Sequence, residues 1–137
     1  MSECIFCKIV RGEVGAERLL ETERAVSFLD IQPRAPGHSL VIPKAHAVKL
    51  ADLDDESAAE VFRVTKEVAR KLESALKPDA FTIGINDGEA AGQVVPHLHV
   101  NIMPRFRGDG GAAIHSVVNN PPSEGLREMA ERIRSAI

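Results

Sequence analysis

The chain lacks the features that mark several large classes of protein. It has only two cysteines in 137 residues, too few for the disulfide framework of a small secreted domain. No apolar run approaches the roughly 18 to 20 residues that a membrane-spanning helix needs. The first residues carry an acid, Glu3, where a signal peptide requires positive charge. These absences predict a cytoplasmic protein without a membrane partner.

Basic residues are also in short supply. The 17 Lys and Arg are outnumbered by 20 Asp and Glu, which gives a formal net charge of −3. A protein that binds DNA or RNA usually presents a basic face, so no nucleic-acid partner is expected. Repeats, low-complexity tracts and long linkers are absent as well. With 44% hydrophobic residues, residues 1–137 are predicted to form one domain around one core.

Apolar periodicity and turn residues predict two main helices. Apolar side chains recur at helical spacing over 55–76, with Asp54 as a suitable N-cap and Pro78 just beyond the end. Ser123 is the expected N-cap of a C-terminal helix. The apolar residues predicted to share one face of that helix are Leu126, Met129, Ala130, Ile133 and Ile137.

Shorter stretches bounded by turn residues predict a sheet. The predicted strands are 18–21, 25–29, 39–42, 81–86 and about 97–103, after a short helix over 5–11. Two prolines and a glycine exclude 31–37 from a central strand and make it a loop. The expected fold class is α+β: an antiparallel sheet of about five strands, in which the last two pair and the long helix covers one face.

The last predicted strand carries the most informative pattern. Polar and apolar residues alternate, so His97, His99 and Asn101 are predicted to share one face. The alternate residues, predicted to face the core, are Leu98, Val100 and Ile102. Neutral imidazole is well suited near pH 7 to attack phosphorus or to pass a proton, and the preceding glycine turn offers amides for phosphate oxygens. A solvated strand face with two ordinary histidines is the alternative interpretation.

The two cysteines form a C-x-x-C pair, Cys4 and Cys7. Two thiolates with two imidazoles, from His46 and His97, make up the ligand set of a closed tetrahedral zinc site. The pair alone is weak evidence, because C-x-x-C is also a redox motif or two ordinary thiols near a chain end. No βαβ pattern of the kind that accompanies redox motifs surrounds it.

Several spaced blocks of the sequence resemble the histidine triad family. The run from His97 to Asn101 is similar to the His-x-His-x-His signature of that family, and the agreement extends over roughly residues 3–107. The other matching blocks are 4–10, 28–31, 36–44, 86–88 and 92–93. The resemblance implies a two-fold dimer that joins the sheets of two copies, and a purine nucleotide as the small-molecule substrate.

The resemblance also implies a catalytic mechanism. His99 matches the histidine that attacks the α-phosphate, forming a covalent nucleotidyl-histidine that water hydrolyses to the nucleoside monophosphate. A backbone carbonyl would orient its other ring nitrogen. Gln93 and the Gly92 amides would hold phosphate oxygens and stabilise developing charge, with Asn86 on the phosphate side. The expected substrates are purine nucleoside phosphoramidates or dinucleoside polyphosphates.

The nucleoside would lie against other residues. The resemblance places the ribose hydroxyls on the carboxylate of Asp30, with Phe28 and Ile31 lining the base pocket. The alternative for Asp30 is a turn former or helix cap. His38 either lies behind the triad or is a hydrogen-bonded core histidine, and His115 is expected at the surface without a role.

Two positions depart from the family pattern. Asn101 replaces the third histidine, so this group donates a hydrogen bond but exchanges no proton with a leaving group. General acid–base assistance is worth about 10²- to 10⁴-fold, so its loss would slow turnover and spare binding. Val94 stands where many relatives have Ser or Thr close to the leaving group. Asn101 favours a rival function, a nucleotide-binding regulatory protein with little turnover.

The resemblance extends to the metal question. Some bacterial members of the family bind zinc through residues that match Cys4, Cys7, His46 and His97. Such a metal would pin the N-terminus to the histidine strand, making His97 structural and leaving only His99 catalytic. Reduced free thiols and a disulfide are the alternatives. A zinc-stabilised interaction domain without a ligand is a third function, but it leaves Asp30, Asn86 and the glycine turn without a shared purpose.

Overall fold

A computed structural model describes residues 4–136 of the chain. In order, its elements are α1 (Ile5–Val10), β1 (Arg18–Glu21), β2 (Ala25–Leu29), β3 (Ser39–Pro43), α2 (Asp55–Leu76), β4 (Ala80–Gly84), β5 (Val100–Arg105) and α3 (Leu126–Arg134). Short 3₁₀ turns lie at Leu50–Asp52, Glu89–Ala91 and Ile114–Ser116. None of the helices in this part of the chain has the length and apolar character needed to cross a membrane.

The five strands form one antiparallel sheet in the order β1-β2-β3-β5-β4. The predicted α+β class and the antiparallel pairing of the last two strands are confirmed. The connection that contains α2 carries the chain from β3 to the edge strand β4, and β5 then returns between them. This order places the start of β5 in the middle of the sheet, beside the end of β3.

Helix α2 covers one face of the sheet with the bounds that the periodicity predicts. The side chain of Asp54 caps it by accepting a hydrogen bond from the N–H of Ser57 at 2.9 Å. The buried side of the helix packs on Val100 and Ile102 of β5, which are fully buried, as the alternation predicts. The buried apolar residues that α2 contributes are Val61, Val64, Val68 and Leu72.

Helix α1 covers part of the opposite face. The sulfur of Cys4 caps it by accepting from the N–H of Cys7 at 3.4 Å. Phe6 lies edge-on to Phe28 of β2, with ring centroids 5.6 Å apart. At the other end of the helix, the Arg18 guanidinium donates to the carbonyl of Ile9. Both faces of the sheet are therefore covered where the histidine segment approaches β5.

Strand β5 begins at Val100, and the prediction that it begins at about His97 is wrong. Val100 pairs with Val41 of β3, and β3 ends two residues later at Pro43. Proline has no N–H to continue the ladder, so the chain before Val100 pairs differently. There the N–H of Leu98 donates to the carbonyl of Ala47, beyond the end of β3, at 2.7 Å.

Other boundaries also differ from the prediction. Strand β4 spans Ala80–Gly84 instead of 81–86, because the chain turns out of the sheet toward the glycine loop after Gly84. Helix α1 ends at Val10, and β3 includes Pro43. The N-cap of α3 is Gly125, in extended conformation, rather than Ser123.

The apolar face predicted for α3 packs against no hydrophobic core among residues 4–136. No residue of the helix is buried, and Leu126 is 86% exposed. Ile137, assigned to that face, lies outside the described residues.

Candidate functional site

His99 lies just before β5 and is partly exposed. Its Nδ1 is 2.8 Å from the carbonyl oxygen of His97. A carbonyl only accepts hydrogen bonds, so Nδ1 carries the hydrogen and Nε2 keeps a free lone pair. The ring of Phe6 packs edge-on against the imidazole, with centroids 5.2 Å apart. The result is a held imidazole whose available nitrogen is suited to nucleophilic attack.

His97 lies on the same side of the sheet as His99, the side that α1 covers, but it is less exposed to solvent. Both imidazoles contact Phe6, as the alternation predicts, whereas His97 is fully buried. Its Nε2 donates to the carbonyl of Pro43 at 2.9 Å, which leaves Nδ1 unprotonated. Burial lowers the pKa of His97 to about 4. The side chain is therefore neutral and shielded from solvent.

Asn101 is the end of a short chain of hydrogen bonds. The N–H of Arg34 donates to Nδ1 of His38 at 3.1 Å, so Nε2 of His38 must carry the hydrogen. That Nε2 lies 3.0 Å from Oδ1 of Asn101 and donates to it. Because Oδ1 is engaged, Nδ2 is the part of the Asn101 carboxamide that can bond a ligand. The buried His38 thus satisfies both predictions made for it: it is hydrogen-bonded and it lies behind the triad.

The glycine turn is held by its own hydrogen bonds. The buried carboxamide of Gln93 accepts from the N–H of Gly88 and donates to the carbonyl of Val48, both at 2.9 Å. The N–H of Gly92 donates to the carbonyl of Glu89 at 2.9 Å. These hydrogen bonds hold the turn in this structure, because buried polar groups must be satisfied whether or not a ligand is bound. The phosphate contacts that the family resemblance implies for Gly92 and Gln93 stay a prediction.

Two other donors border the same turn. The φ of Gly92 is 102°, a conformation that a side chain would strain, and a Cβ built there would lie 3.7 Å from Nδ2 of Asn86. Neither that Nδ2 nor the N–H of Val94, whose residue is 89% exposed, donates to another group among residues 4–136. The sequence pattern singles out Asn86 and the side chain of Val94, but not the backbone N–H that Val94 offers.

The residues expected to bind the nucleoside differ in their exposure. Asp30 Oδ1 accepts from the N–H of Gln32 at 2.8 Å, so the turn-forming interpretation of Asp30 is confirmed. Its Oδ2 lies 3.7 Å from Nε2 of His38. Ile31 is 91% exposed, whereas Phe28 is buried under Phe6. One carboxylate oxygen and one apolar surface thus remain for a ligand here.

Four ligand atoms converge beside the buried His97. The sulfur of Cys4 is 3.3 Å from Nδ1 of His97, and the sulfur of Cys7 is 3.3 Å from Nδ1 of His46. The two Nδ1 atoms are 3.2 Å apart, and Cys7 Sγ is 3.6 Å from His97 Nδ1. All four atoms lie within 4.8 Å of one another. Both cysteines are free thiols.

The cluster fits a tetrahedral metal ion. With bond lengths of about 2.3 Å to sulfur and about 2.0 Å to nitrogen, a tetrahedral zinc site has edges of roughly 3.3 to 3.8 Å, close to the observed separations. Nδ1 of His97 is an acceptor, because Nε2 carries the hydrogen. Burial and the neighbouring Cys4 raise the pKa of the Cys7 thiol, so a bound cation is the group that would stabilise its thiolate.

Proteins similar to this chain match it over nearly its whole length. The HIT domain family matches residues 11–108. An adenosine 5′-monophosphoramidase from Schizosaccharomyces pombe is 37% identical over 134 residues, covering 98% of each chain. A Bacillus subtilis HIT family structure gives a TM-score of 0.87 at 34% identity, covering 98% of this chain and 97% of that one. A zinc-bound histidine triad family protein from Mycobacterium smegmatis gives 0.75 at 38% identity, covering 96% and 89% respectively.

The role of Gln93 in holding the turn can be measured as stability. We expect Gln93→Ala to lower the free energy of unfolding by about 1–2 kcal/mol, because two backbone groups lose their partner. Urea unfolding measures the change. Gln32→Ala is the matched control, since that side chain is exposed and should change stability by less than about 0.5 kcal/mol. Equal stability of the two variants would show that Gln93 does not hold the turn.

Proposed function

The chain belongs to the HIT family, and on that basis we propose that residues 1–137 form one domain that hydrolyses purine nucleoside phosphoramidates or dinucleoside polyphosphates. The product is the nucleoside monophosphate. The observation that carries this proposal is the hydrogen bond from His99 to the His97 carbonyl, which leaves Nε2 free as a nucleophile. The similarity to an adenosine 5′-monophosphoramidase supports the phosphoramidate as the first substrate to test.

In the proposed reaction, Nε2 of His99 attacks the α-phosphorus. An Nε2–P bond forms, and the bond from phosphorus to the leaving nitrogen or oxygen breaks. The leaving atom keeps the bonding electron pair; a leaving nitrogen takes its proton from solvent. Water then attacks phosphorus, the Nε2–P bond breaks and its electron pair returns to the imidazole. The carbonyl of His97 stabilises the positive charge of the phosphorylated ring throughout, and the water proton passes to solvent.

The remaining site residues would bind and orient the nucleotide. Asn86 and the N–H of Val94 are the proposed donors to phosphate oxygens, joined by Nδ2 of Asn101. Gly92 and Gln93 would shape the turn that presents Val94, in addition to the phosphate contacts that the family resemblance implies for them. A further set would bind the nucleoside through one carboxylate oxygen and an apolar surface: Asp30, Ile31 and Phe28.

A second function, nucleotide binding with little turnover, is favoured by one observation. The carboxamide of Asn101 is locked with its oxygen toward His38, so it offers a hydrogen bond but no exchangeable proton at neutral pH. Binding would then be retained while departure of the leaving group slows.

The two functions make different predictions for His99→Ala. We expect the variant to lose AMP release from adenosine 5′-phosphoramidate by at least about a thousandfold, because the nucleophile is gone, and to keep its affinity for AMP. Chromatography measures release, and mass spectrometry of the quenched wild-type protein should show one nucleotidyl adduct. His115→Ala, an exposed histidine outside the site, serves as the control.

Wild-type release no faster than that of His99→Ala, with AMP still bound, would reject hydrolysis in favour of the binding function. In that case Asn101→His is expected to raise release by about a hundredfold, within the range for general acid–base assistance.

We also propose that the Cys4, Cys7, His46 and His97 cluster holds a structural zinc ion. Two thiolates and two imidazoles fill a tetrahedral site, so no position is left for a substrate. The bound ion would supply a cross-link between α1 and the segment that precedes β5. The zinc-bound Mycobacterium smegmatis relative supports zinc as the metal.

The purified protein is expected to contain about one zinc per chain by elemental analysis. Cys7→Ser should lose most of that metal and at least about 3 kcal/mol of stability, because a closed zinc site contributes directly to folding. Lys8→Ser, the neighbouring residue without a ligand atom for the site, is the control. A metal-free wild-type protein whose unfolding is unchanged by added zinc or by chelators would contradict the proposal.

Two copies of the chain are proposed to form a two-fold dimer through β4. The sheet ends at β1 and β4. Strand β1 carries Arg18 and Glu21, charges that discourage pairing at an edge. Strand β4 has no charged residue and exposes Ile83. The exposed apolar residues of α3 offer further surface for a second copy.

Ile83→Asp is expected to convert the dimer to a monomer, because it places a carboxylate at the pairing edge. Sedimentation equilibrium should give about twice the chain mass of 14.8 kDa for the wild type and the single mass for the variant. Leu50→Asp introduces the same charge at a similarly exposed residue outside β4 and should leave the dimer intact. A monomeric wild-type protein would contradict the proposal.

A further inference from the structure

A cavity of about 770 Å³ borders Asn101 and Asn86 on one side of the site. Its polar lining includes these two side chains, His38 and Arg34. Its apolar lining includes Met103, Ile114, Val117 and Val118. No carboxylate is among the lining residues, and His38 is neutral because its Nδ1 accepts a hydrogen bond. Arg34 therefore supplies the formal charge of this cavity.

The backbone position of Arg34 is tied to the site. Its N–H donates to His38, which in turn donates to Asn101. Pro33 and Pro36 flank it closely and restrict the loop. Two hydrogen bonds, which pass through His38, thus connect the backbone of Arg34 to the Asn101 carboxamide that would contact the leaving group.

The guanidinium of Arg34 is available to a ligand. It forms no ion pair with a carboxylate among residues 4–136. Arg105 provides the contrast: it lines a different cavity of about 680 Å³ and is paired with Asp109 at 2.7 Å. An unpaired guanidinium binds a carboxylate or a phosphate through two parallel hydrogen bonds.

We infer that this cavity receives the leaving group of the substrate and that Arg34 selects leaving groups that carry an anion. The inference rests on the proposed nucleotide site at His99. Asn101 Nδ2 would donate to the leaving atom or its neighbouring oxygen, Arg34 would bind the anion, and Met103 and Val117 would contact the hydrocarbon between them.

Two substrates that differ only in charge test the selection. The adenosine 5′-phosphoramidates of valine and of valinamide carry a carboxylate and a carboxamide on the same leaving amine. The wild-type protein is expected to prefer the carboxylate by about threefold to fivefold in kcat/KM, the range of a partly solvated ion pair. Arg34→Gln should bring that ratio close to one. Arg107→Gln, an exposed arginine that lines the other cavity, should keep it.

A second arm distinguishes the source of the anion. Diadenosine tetraphosphate, whose leaving group is ATP, replaces the amino-acid substrate in the same variants. For each anionic substrate, kcat/KM is divided by the value for the valinamide phosphoramidate. A lower ratio in Arg34→Gln for the polyphosphate alone identifies phosphate as the anion that Arg34 binds. A lower ratio for the valine substrate alone identifies carboxylate. Equal ratios in wild type and Arg34→Gln for both anions would overturn the inference.

The inference and the proposed hydrolysis can fail separately. Dissociation constants of the same substrates can be measured by calorimetry without turnover in His99→Ala. They are compared between this variant and the double variant His99→Ala, Arg34→Gln. AMP binding without AMP release refutes hydrolysis, and the ratio of dissociation constants still decides the role of Arg34. Absence of AMP binding refutes both.

Discussion

The hydrogen bond from His99 Nδ1 to the carbonyl of His97 is the interaction on which the candidate site depends. The carbonyl is held in place because the His97 side chain is fixed at both nitrogens. Its Nε2 bonds the end of β3 at Pro43, and its Nδ1 faces the cysteine cluster. The cluster therefore contacts the same residue, His97, whose carbonyl orients His99. The proposed zinc ion, which has no open coordination position, would thus help to determine which nitrogen of His99 is free.

On the Asn101 side of the site, uncharged polar groups orient one another through hydrogen bonds. His38 accepts a hydrogen bond from the backbone N–H of Arg34 and donates one to Asn101. This one N–H therefore determines which nitrogen of His38 carries the hydrogen and which way the Asn101 carboxamide is oriented. A histidine at 101 would receive a hydrogen bond in the same place, but its far nitrogen would titrate near neutrality. Compared with a histidine at this position, Asn101 keeps a hydrogen-bond donor but has no group that titrates near neutrality. It would therefore support binding without acid catalysis.

Local pattern predicted the architecture, whereas the hydrogen bonds within the candidate site depend on how distant segments fold together. Apolar periodicity was sufficient for α2, because a helix of that length is fixed by its own buried face. The alternation over Leu98, Val100 and Ile102 placed the core side of the histidine segment correctly. It did not place the start of β5, which depends on Pro43 in another strand. The resemblance assigns Gln93 to phosphate oxygens, but it does not predict the hydrogen bonds of this side chain to Gly88 and Val48, which are set by the folded turn.

In the proposed reaction, the absence of an acid at position 101 would limit which leaving groups depart easily. A leaving amine must gain a proton before or while the P–N bond breaks, and Asn101 does not supply one. A leaving phosphate already carries its charge, so it departs without protonation and is stabilised by a cation instead. Arg34 is the cation in the cavity beside Asn101. Under the proposed function, the lack of an acid at position 101 and the guanidinium of Arg34 would therefore both favour leaving groups that are stabilised by charge rather than by a proton.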